Sequence, residues 1–194
     1  MSIKRFFGSL SLALIATFLL SPSSFAAEQD PVQDWMAMIE SQYLHQQYID
    51  MDGAYNGQCV DLAFFYADEL FKAQGFRQTI GLGNANQLLY SASDKYFQAI
   101  PYTGEPPQVG DLILWDHWAG GHVGVVFEVQ AGTVRYYEQN TNGYGTSPVG
   151  IGETTTDSCA LPYLSDHPIG YLRPKLTPSK LQPILEFHML EQTD

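Results

Sequence analysis

Basic residues are scarce in this chain, which has 9 Lys and Arg against 21 Asp and Glu. Loss of Lys4 and Arg5 with an N-terminal leader would leave 9 − 2 = 7 basic residues and a formal charge near 7 − 21 = −14. A nucleic-acid-binding surface needs clustered Lys and Arg, so the composition excludes that class of function. The acidic excess would also be repelled by anionic lipids and wall polymers, so binding to a cell envelope would need shape-specific contacts.

The chain also lacks an apolar run that reaches the length of about 20 residues needed to span a bilayer. Its N-terminal apolar run, residues 6–20, follows Lys4 and Arg5 and precedes a segment of small residues that ends at Ala26. This order is typical of a secretory signal peptide. We predict a signal peptide over residues 1–26, a secreted or periplasmic location, and no membrane attachment after cleavage. A retained N-terminal anchor is the alternative.

Only two cysteines are present, Cys59 and Cys159. In an exported protein such a pair suggests a disulfide, because oxidising compartments preserve these bonds. The alternative is a free Cys59, which we favour because a bridge would block the one thiol that lies among other candidate catalytic groups. The disulfide alternative predicts a stapled domain without a free thiol in the native protein.

The pattern of helices and strands predicts one α+β domain. The sequence contains no visible internal repeat, and the 194 − 26 = 168 residues after the leader suit a single core. Asp34 is predicted to cap a first helix, and apolar residues then recur at helical spacing from Cys59 to Gln74. Four β-rich runs follow, at residues 111–115, 122–129, 133–139 and 167–174.

This order predicts N-terminal helices packed on an antiparallel sheet. Pro168 and Pro174 bracket the last run, which predicts an edge strand there. We assign residues 27–174 to the domain and residues 175–194 to a C-terminal tail. That tail is too short for a separate wall-binding module.

The segment from Asp50 to Asp61 spaces oxygen atoms in the order in which a calcium loop wraps its ion. Counted from Asp50, the candidate ligands occupy positions 1, 3, 5, 7 and 12, which are Asp50, Asp52, Ala54, Asn56 and Asp61. The aspartates would bind through side chains, and the other two residues through backbone carbonyls. An EF-hand has Gly at position 6 and Glu at position 12, where this chain has Tyr55 and Asp61. We therefore predict a structural calcium site outside an EF-hand fold.

Cys59 lies in the first turn of the second predicted helix, where unpaired N–H groups favour a thiolate. The same N–H groups could stabilise the oxyanion formed when a carbonyl is attacked. His122 is the candidate base because it begins a strand directly after Gly120 and Gly121, and a rigid strand holds an imidazole in place. His117, in a loop, is the competing candidate.

A third group should accept a hydrogen bond from the other ring nitrogen and stabilise the imidazolium. Glu138 fits this role at the end of the neighbouring strand, although a solvated carboxylate is the other interpretation. Asn140 lies two residues further on and could act as a supporting donor or acceptor on the same side.

Four motifs in this order resemble the CHAP domain, the cysteine, histidine-dependent amidohydrolase/peptidase module, and most closely that of staphylococcal phage endolysins. The resemblance extends over roughly residues 31–174. The motifs are Asp50-x-Asp52-Gly53 leading to Gln58-Cys59-x-Asp61, Gly110-Asp111 with Trp115, Gly121-His122-Val-Gly-Val-Val, and Glu138-Gln-Asn140-x-Asn142-Gly143-Tyr144.

The resemblance implies a papain-like α+β fold in which Cys59 is the nucleophile, His122 the base, and Glu138 and Asn140 complete the site. It also implies calcium at the five ligand positions given above. The implied activity is peptidoglycan hydrolysis, either as an N-acetylmuramoyl-L-alanine amidase or as an endopeptidase that cuts the stem peptide or cross-bridge. We expect a monomer. A catalytically silent, calcium-containing wall-binding module is the alternative.

Overall fold

The computed structural model describes residues 30–102, 105–117, 119–160 and 167–176. The predicted signal peptide lies outside these residues, as does the predicted tail from residue 177 onward, so both stay predictions. The described helices are α1 (Pro31–Gln42), α2 (Cys59–Leu70), α3 (Phe76–Thr79), α4 (Ala85–Ser91) and α5 (Thr156–Ala160). The described strands are β1 (Phe97–Pro101), β2 (Leu112–Trp115), β3 (His122–Gln130), β4 (Thr133–Glu138), β5 (Gly150–Thr155) and β6 (Gly170–Pro174).

The first helix begins earlier than the sequence pattern predicted. Asp30, and not Asp34, is its cap, because the Asp30 carboxylate accepts a hydrogen bond of 3.0 Å from the Val32 N–H. Pro31 suits the first helical position since that residue needs no N–H donor. The second helix begins at Cys59 as predicted but ends at Leu70, before Gln74. None of the described helices has both the length and the apolar composition to cross a membrane.

The six strands form one antiparallel sheet in the order β1-β6-β2-β3-β4-β5. The predicted α+β class is therefore confirmed. The predicted edge position of the last strand is wrong, because β6 pairs with both β1 and β2. Pro168 precedes this strand and Pro174 is its last residue, so both prolines lie outside the central part of the strand that pairs on both sides. The edges are formed by β1 and β5.

The two faces of the sheet carry separate apolar clusters. The larger cluster joins α1, α2 and α4 to one face and includes Cys59, Leu114 and Val125. The smaller cluster covers the opposite face and includes Trp115 and Cys159. Leu114 and Trp115 are neighbours on β2, and successive side chains of a strand point to opposite faces. Both cysteines are free thiols, so the disulfide alternative is not what the fold contains.

Candidate active site

Cys59 is the first residue of α2 and lies in the wall of a pocket of about 430 Å³. The start of this helix is fixed by Asp61, whose carboxylate accepts a hydrogen bond of 2.8 Å from the Gln58 N–H. Cys59 is 8% exposed, so it is largely shielded from water, and it forms part of the pocket lining. The pocket is lined by Gln58, Cys59, Val60, Asn84, Ala85, Gly120, Gly121, His122, Asn140, Thr141, Asn142 and Gly143.

His122 meets Cys59 and Glu138 at the start of β3. Its imidazole forms a hydrogen bond with the Cys59 side chain. Its Nε2 lies 2.7 Å from Oε2 of Glu138, at the end of β4. Because Glu138 occupies Nε2, the nitrogen left for the thiol is Nδ1. The structure thus brings together the three residues that the sequence proposed as nucleophile, base and orienting carboxylate.

The pKa of His122 is raised from 6.5 to about 9. Burial alone would lower the pKa, but the hydrogen bonds of the ring with the Cys59 and Glu138 side chains and the electrostatic interactions with these two residues outweigh the burial. The imidazole therefore stays protonated at neutral pH. A protonated ring beside a sulfur nucleophile can both stabilise a thiolate and donate a proton to a leaving group.

Gly121 allows His122 to reach this position. It adopts a φ of +71°, and a Cβ at this residue would lie 2.4 Å from the Trp115 carbonyl oxygen and 2.8 Å from the Asn86 N. A larger residue would be strained and would also push apart the start of α4 and the end of β2. The helix that approaches Gly121 closely is α4.

His117, the competing candidate, lies in the loop after β2. Its ring packs against Trp115 with a centroid separation of 5.9 Å. The imidazole that forms the hydrogen bond with Cys59 belongs to His122. The geometry therefore favours His122 as the base.

Asn140 lies in the pocket wall, where it shapes a loop. It has a φ of +64°, and its Oδ1 accepts a hydrogen bond of 2.6 Å from the Gly145 N–H. Its carbonyl accepts a further hydrogen bond of 3.1 Å from the Gly143 N–H. These contacts hold the loop that borders the pocket, so the described role of Asn140 is to support the wall. Its predicted part in catalysis stays a prediction.

Gln139, between Glu138 and Asn140, is a polar residue that sequence reasoning missed. Its side chain is completely buried. Its Nε2 donates to the carbonyls of Ile49, at 2.8 Å, and Gln58, at 2.6 Å. Its Oε1 accepts from the Ile49 N–H at 3.1 Å. These partners lie 81 and 90 residues away along the chain, so no local pattern could have indicated them.

The carboxylates of Asp50, Asp52 and Asp61 converge beside the nucleophile helix, with oxygen atoms all within 4.8 Å of one another. Asp61 is buried, and its pKa is raised to about 6. Burial is the largest cause and the charges of Asp52 and Asp50 add to it, whereas hydrogen bonds from the Met51 and Gln58 N–H groups lower it. A divalent cation would offset this repulsion, so these three residues fit a hard metal ion with oxygen ligands.

The backbone of the same loop turns in the left-handed region at the position where an EF-hand has glycine. Tyr55 has a φ of +63° and Asn56 a φ of +61°. The Asn56 side chain donates to the Tyr144 carbonyl at 3.5 Å, which leaves its own carbonyl as the candidate ligand. The ligand roles of Ala54 and Asn56 stay predictions.

Residues 49–140 match the sequence profile of the CHAP domain, from the residue before Asp50 to Asn140. This chain contains a CHAP domain. The match spans the acidic loop, Cys59, His122 and Glu138, so all three members of the candidate triad fall within the CHAP domain.

The fold of the chain is similar to that of two solved structures. "The crystal structure of Ly7917" has 18% identity and a TM-score of 0.57, and the match covers 74% of this chain and 62% of that chain. "The crystal structure of Ly7917 with the hydrolyzing product of MDP" has 17% identity, the same TM-score of 0.57 and the same coverage. The chain thus spans under two thirds of the length of these structures. No curated protein matches it.

Proposed function

We propose that this protein is an exported peptidoglycan hydrolase that cleaves an amide bond. The observation that carries the proposal is the contact of His122 with both Cys59 and Glu138 at a pocket inside a CHAP domain. A structure of similar fold is described with "the hydrolyzing product of MDP", which supports the same substrate class. The bond is that of an N-acetylmuramoyl-L-alanine amidase or of a stem-peptide or cross-bridge endopeptidase. The apolar leader at residues 6–20 supports export.

The proposed reaction has two steps. The Cys59 thiolate attacks the amide carbonyl carbon, and the N–H groups in the first turn of α2, which lack intrahelical partners, stabilise the oxyanion. The His122 imidazolium then gives its proton to the leaving amine, and a thioester remains on Cys59. In the second step the neutral imidazole takes a proton from water, and the resulting hydroxide cleaves the thioester to a carboxylic acid and restores the thiolate. Glu138 keeps Nδ1 of the ring directed at the sulfur.

We propose in addition a structural calcium ion at the acidic loop. Asp50, Asp52 and Asp61 would hold it through carboxylates, together with the carbonyls of Ala54 and Asn56. The ion would supply positive charge that offsets the mutual repulsion of the three carboxylates. Its effect on the reaction would be indirect, because Asp61 also fixes the N-terminus of the helix that carries Cys59.

Clearing of a peptidoglycan suspension tests the proposed activity. Wild-type protein should lower the turbidity and release new amino groups, whereas Cys59→Ser should do neither while it keeps the wild-type melting temperature. Cys159→Ser is the matched control, since that thiol lies on the opposite face of the sheet and its loss should leave turnover in place. Wild-type protein that binds peptidoglycan but releases no amino groups would establish the silent wall-binding module instead. Mass spectrometry of the released fragments would identify the cleaved bond.

A further inference from the structure

We infer that Gln139 is a positioning residue, whose side-chain amide sets the place of Cys59 relative to His122. The inference rests on the proposed function for its catalytic consequence, but the contacts that carry it do not depend on any substrate. The hydrogen bonds of the Gln139 side chain go to backbone groups of Ile49 and Gln58, and not to the thiol or the imidazole.

The side-chain amide of Gln139 forms three hydrogen bonds with the backbone. Gln139 pairs with both backbone groups of Ile49, accepting from its N–H at 3.1 Å and donating to its carbonyl at 2.8 Å. The second N–H of the same amide donates to the Gln58 carbonyl at 2.6 Å. Ile49 and Gln58 flank residues 50–57, so one side chain joins both ends of this loop. The amide oxygen and the amide nitrogen of Gln139 are thus both hydrogen-bonded to these two residues.

This connection ends at the residue that precedes the nucleophile. Gln58 is the residue directly before Cys59, so its peptide carbonyl belongs to the unit that carries the nucleophile. Glu138, the residue directly before Gln139, holds the imidazole through Nε2 at 2.7 Å. The last residue of β4 therefore bonds to the imidazole, and the residue after it bonds to the backbone directly before the nucleophile.

Burial makes this connection rigid. The Gln139 side chain is fully buried, so water cannot replace its hydrogen bonds. A shift of the Gln58 carbonyl would move the Cys59 sulfur away from the ring. A misplacement of the reacting atoms by about 1 Å can cost about 10²-fold in rate. A contact with the residue directly before the nucleophile is therefore close enough to affect the rate.

The test compares Gln139→Met with Tyr66→Phe. Methionine keeps the size of the side chain but removes all three hydrogen bonds. Tyr66 is buried on α2, the helix that begins with Cys59, and donates to the Gly110 carbonyl at 2.7 Å. Its replacement therefore also removes a buried hydrogen bond to a carbonyl, but one away from the pocket. Two quantities are measured in the folded fraction: the rate of Cys59 alkylation by iodoacetamide at pH 7, by peptide mapping, and the pKa of His122, by NMR.

In Gln139→Met we expect Cys59 to be alkylated about 10- to 100-fold more slowly than in wild type. We also expect the pKa of His122 to lie closer to its ordinary value of 6.5. In Tyr66→Phe the rate of Cys59 alkylation should stay within about twofold of wild type and the pKa of His122 should not change, whatever the melting temperature of the variant. With peptidoglycan as substrate, Gln139→Met should lower kcat and leave KM unchanged. Wild-type alkylation and titration in a folded Gln139→Met, or equal losses in both variants, would overturn the inference.

Gln139→Glu decides the matter if the methionine variant does not fold. Its ionised carboxylate would face the carbonyls of Ile49 and Gln58, whereas the protonated form can donate one hydrogen bond. The alkylation rate relative to wild type should therefore recover as the pH is lowered from 7.5 to 5, and an unchanged ratio would reject the role. Neither alkylation nor NMR needs turnover, so a wild-type protein that cleaves no peptidoglycan would sink the proposed function without deciding this one.

Discussion

Replacement of Glu138 by glutamine removes one charge from the site and changes little else. The side chain keeps its shape, and its Oε1 can still accept from the His122 Nε2–H, now 2.7 Å from the carboxylate. The change therefore isolates the electrostatic contribution of Glu138 to the protonated ring. We expect the pKa of His122 to fall, because a neutral acceptor favours the imidazolium less than a carboxylate does.

The size of this fall follows from the hydrogen bond. A bond to a charged group contributes about 1.5–3 kcal/mol and a neutral one about 0.5–1.5 kcal/mol, so the difference is about 1–1.5 kcal/mol. At about 1.4 kcal/mol for each pKa unit, the pKa of His122 should fall by about one unit. It would move from about 9 to the neighbourhood of 8. The remaining elevation would come from Cys59.

The pH dependence of kcat/KM on peptidoglycan measures this shift, because it reports the groups that titrate in the free enzyme. The alkaline limb should move down by about one unit, and turnover on the plateau should fall less than it does in His122→Ala. NMR titration of His122 gives the same quantity without substrate. Glu153→Gln is the control, since it makes the same charge change on the adjacent strand β5 with an exposed side chain. An alkaline limb that stays in place in Glu138→Gln, or that shifts equally in the control, would refute the reasoning.

Three further predictions concern stability and the acidic loop. Exhaustive EDTA treatment should lower the melting temperature and peptidoglycan hydrolysis together, and retention of both would reject the calcium ion. Gly152→Ala places a Cβ 2.7 Å from the Glu138 Oε1, so kcat/KM should fall. Urea denaturation should show a loss of about 1–3 kcal/mol in the free energy of unfolding. Gly150→Ala, on the same strand, places its Cβ in open space and should change neither quantity. Arg173→Met leaves the buried Asp111 carboxylate without the two hydrogen bonds of 2.9 and 2.8 Å that it accepts, and should cost about 3–5 kcal/mol in the same assay; a loss below 1 kcal/mol would contradict this.

The strands that sequence patterns could locate are those with a buried face. β2 is buried at every position and β3 over most of its length, and their β-branched and aromatic residues gave the predicted sheet. β1 and β5 were missed because they are edge strands with mostly exposed or half-exposed residues, and β5 contains two glycines. The position of β6 between β1 and β2 depends on long-range pairing, which local composition does not encode.

Within the site, local sequence context was enough for the residues that sit at element ends. Cys59 at a helix start and His122 after Gly121 could both be identified from their neighbours along the chain. The contact of Glu138 with His122 followed from the adjacency of two strands. Gln139 could not be identified in the same way, because its role is defined by backbone groups of Ile49 and Gln58 that reach it only in the folded chain.

The separation of Cys59 and Cys159 by the sheet determines how the protein responds to oxidants. An internal bridge needs Cα atoms within about 7 Å, whereas the two cysteines are free thiols that pack in separate apolar clusters. Oxidation of the reactive sulfur would therefore proceed to a sulfenic acid or to a mixed disulfide with a small thiol, both of which reductants reverse. Protein inactivated in air should regain full turnover after brief treatment with dithiothreitol, with no rearrangement of the chain.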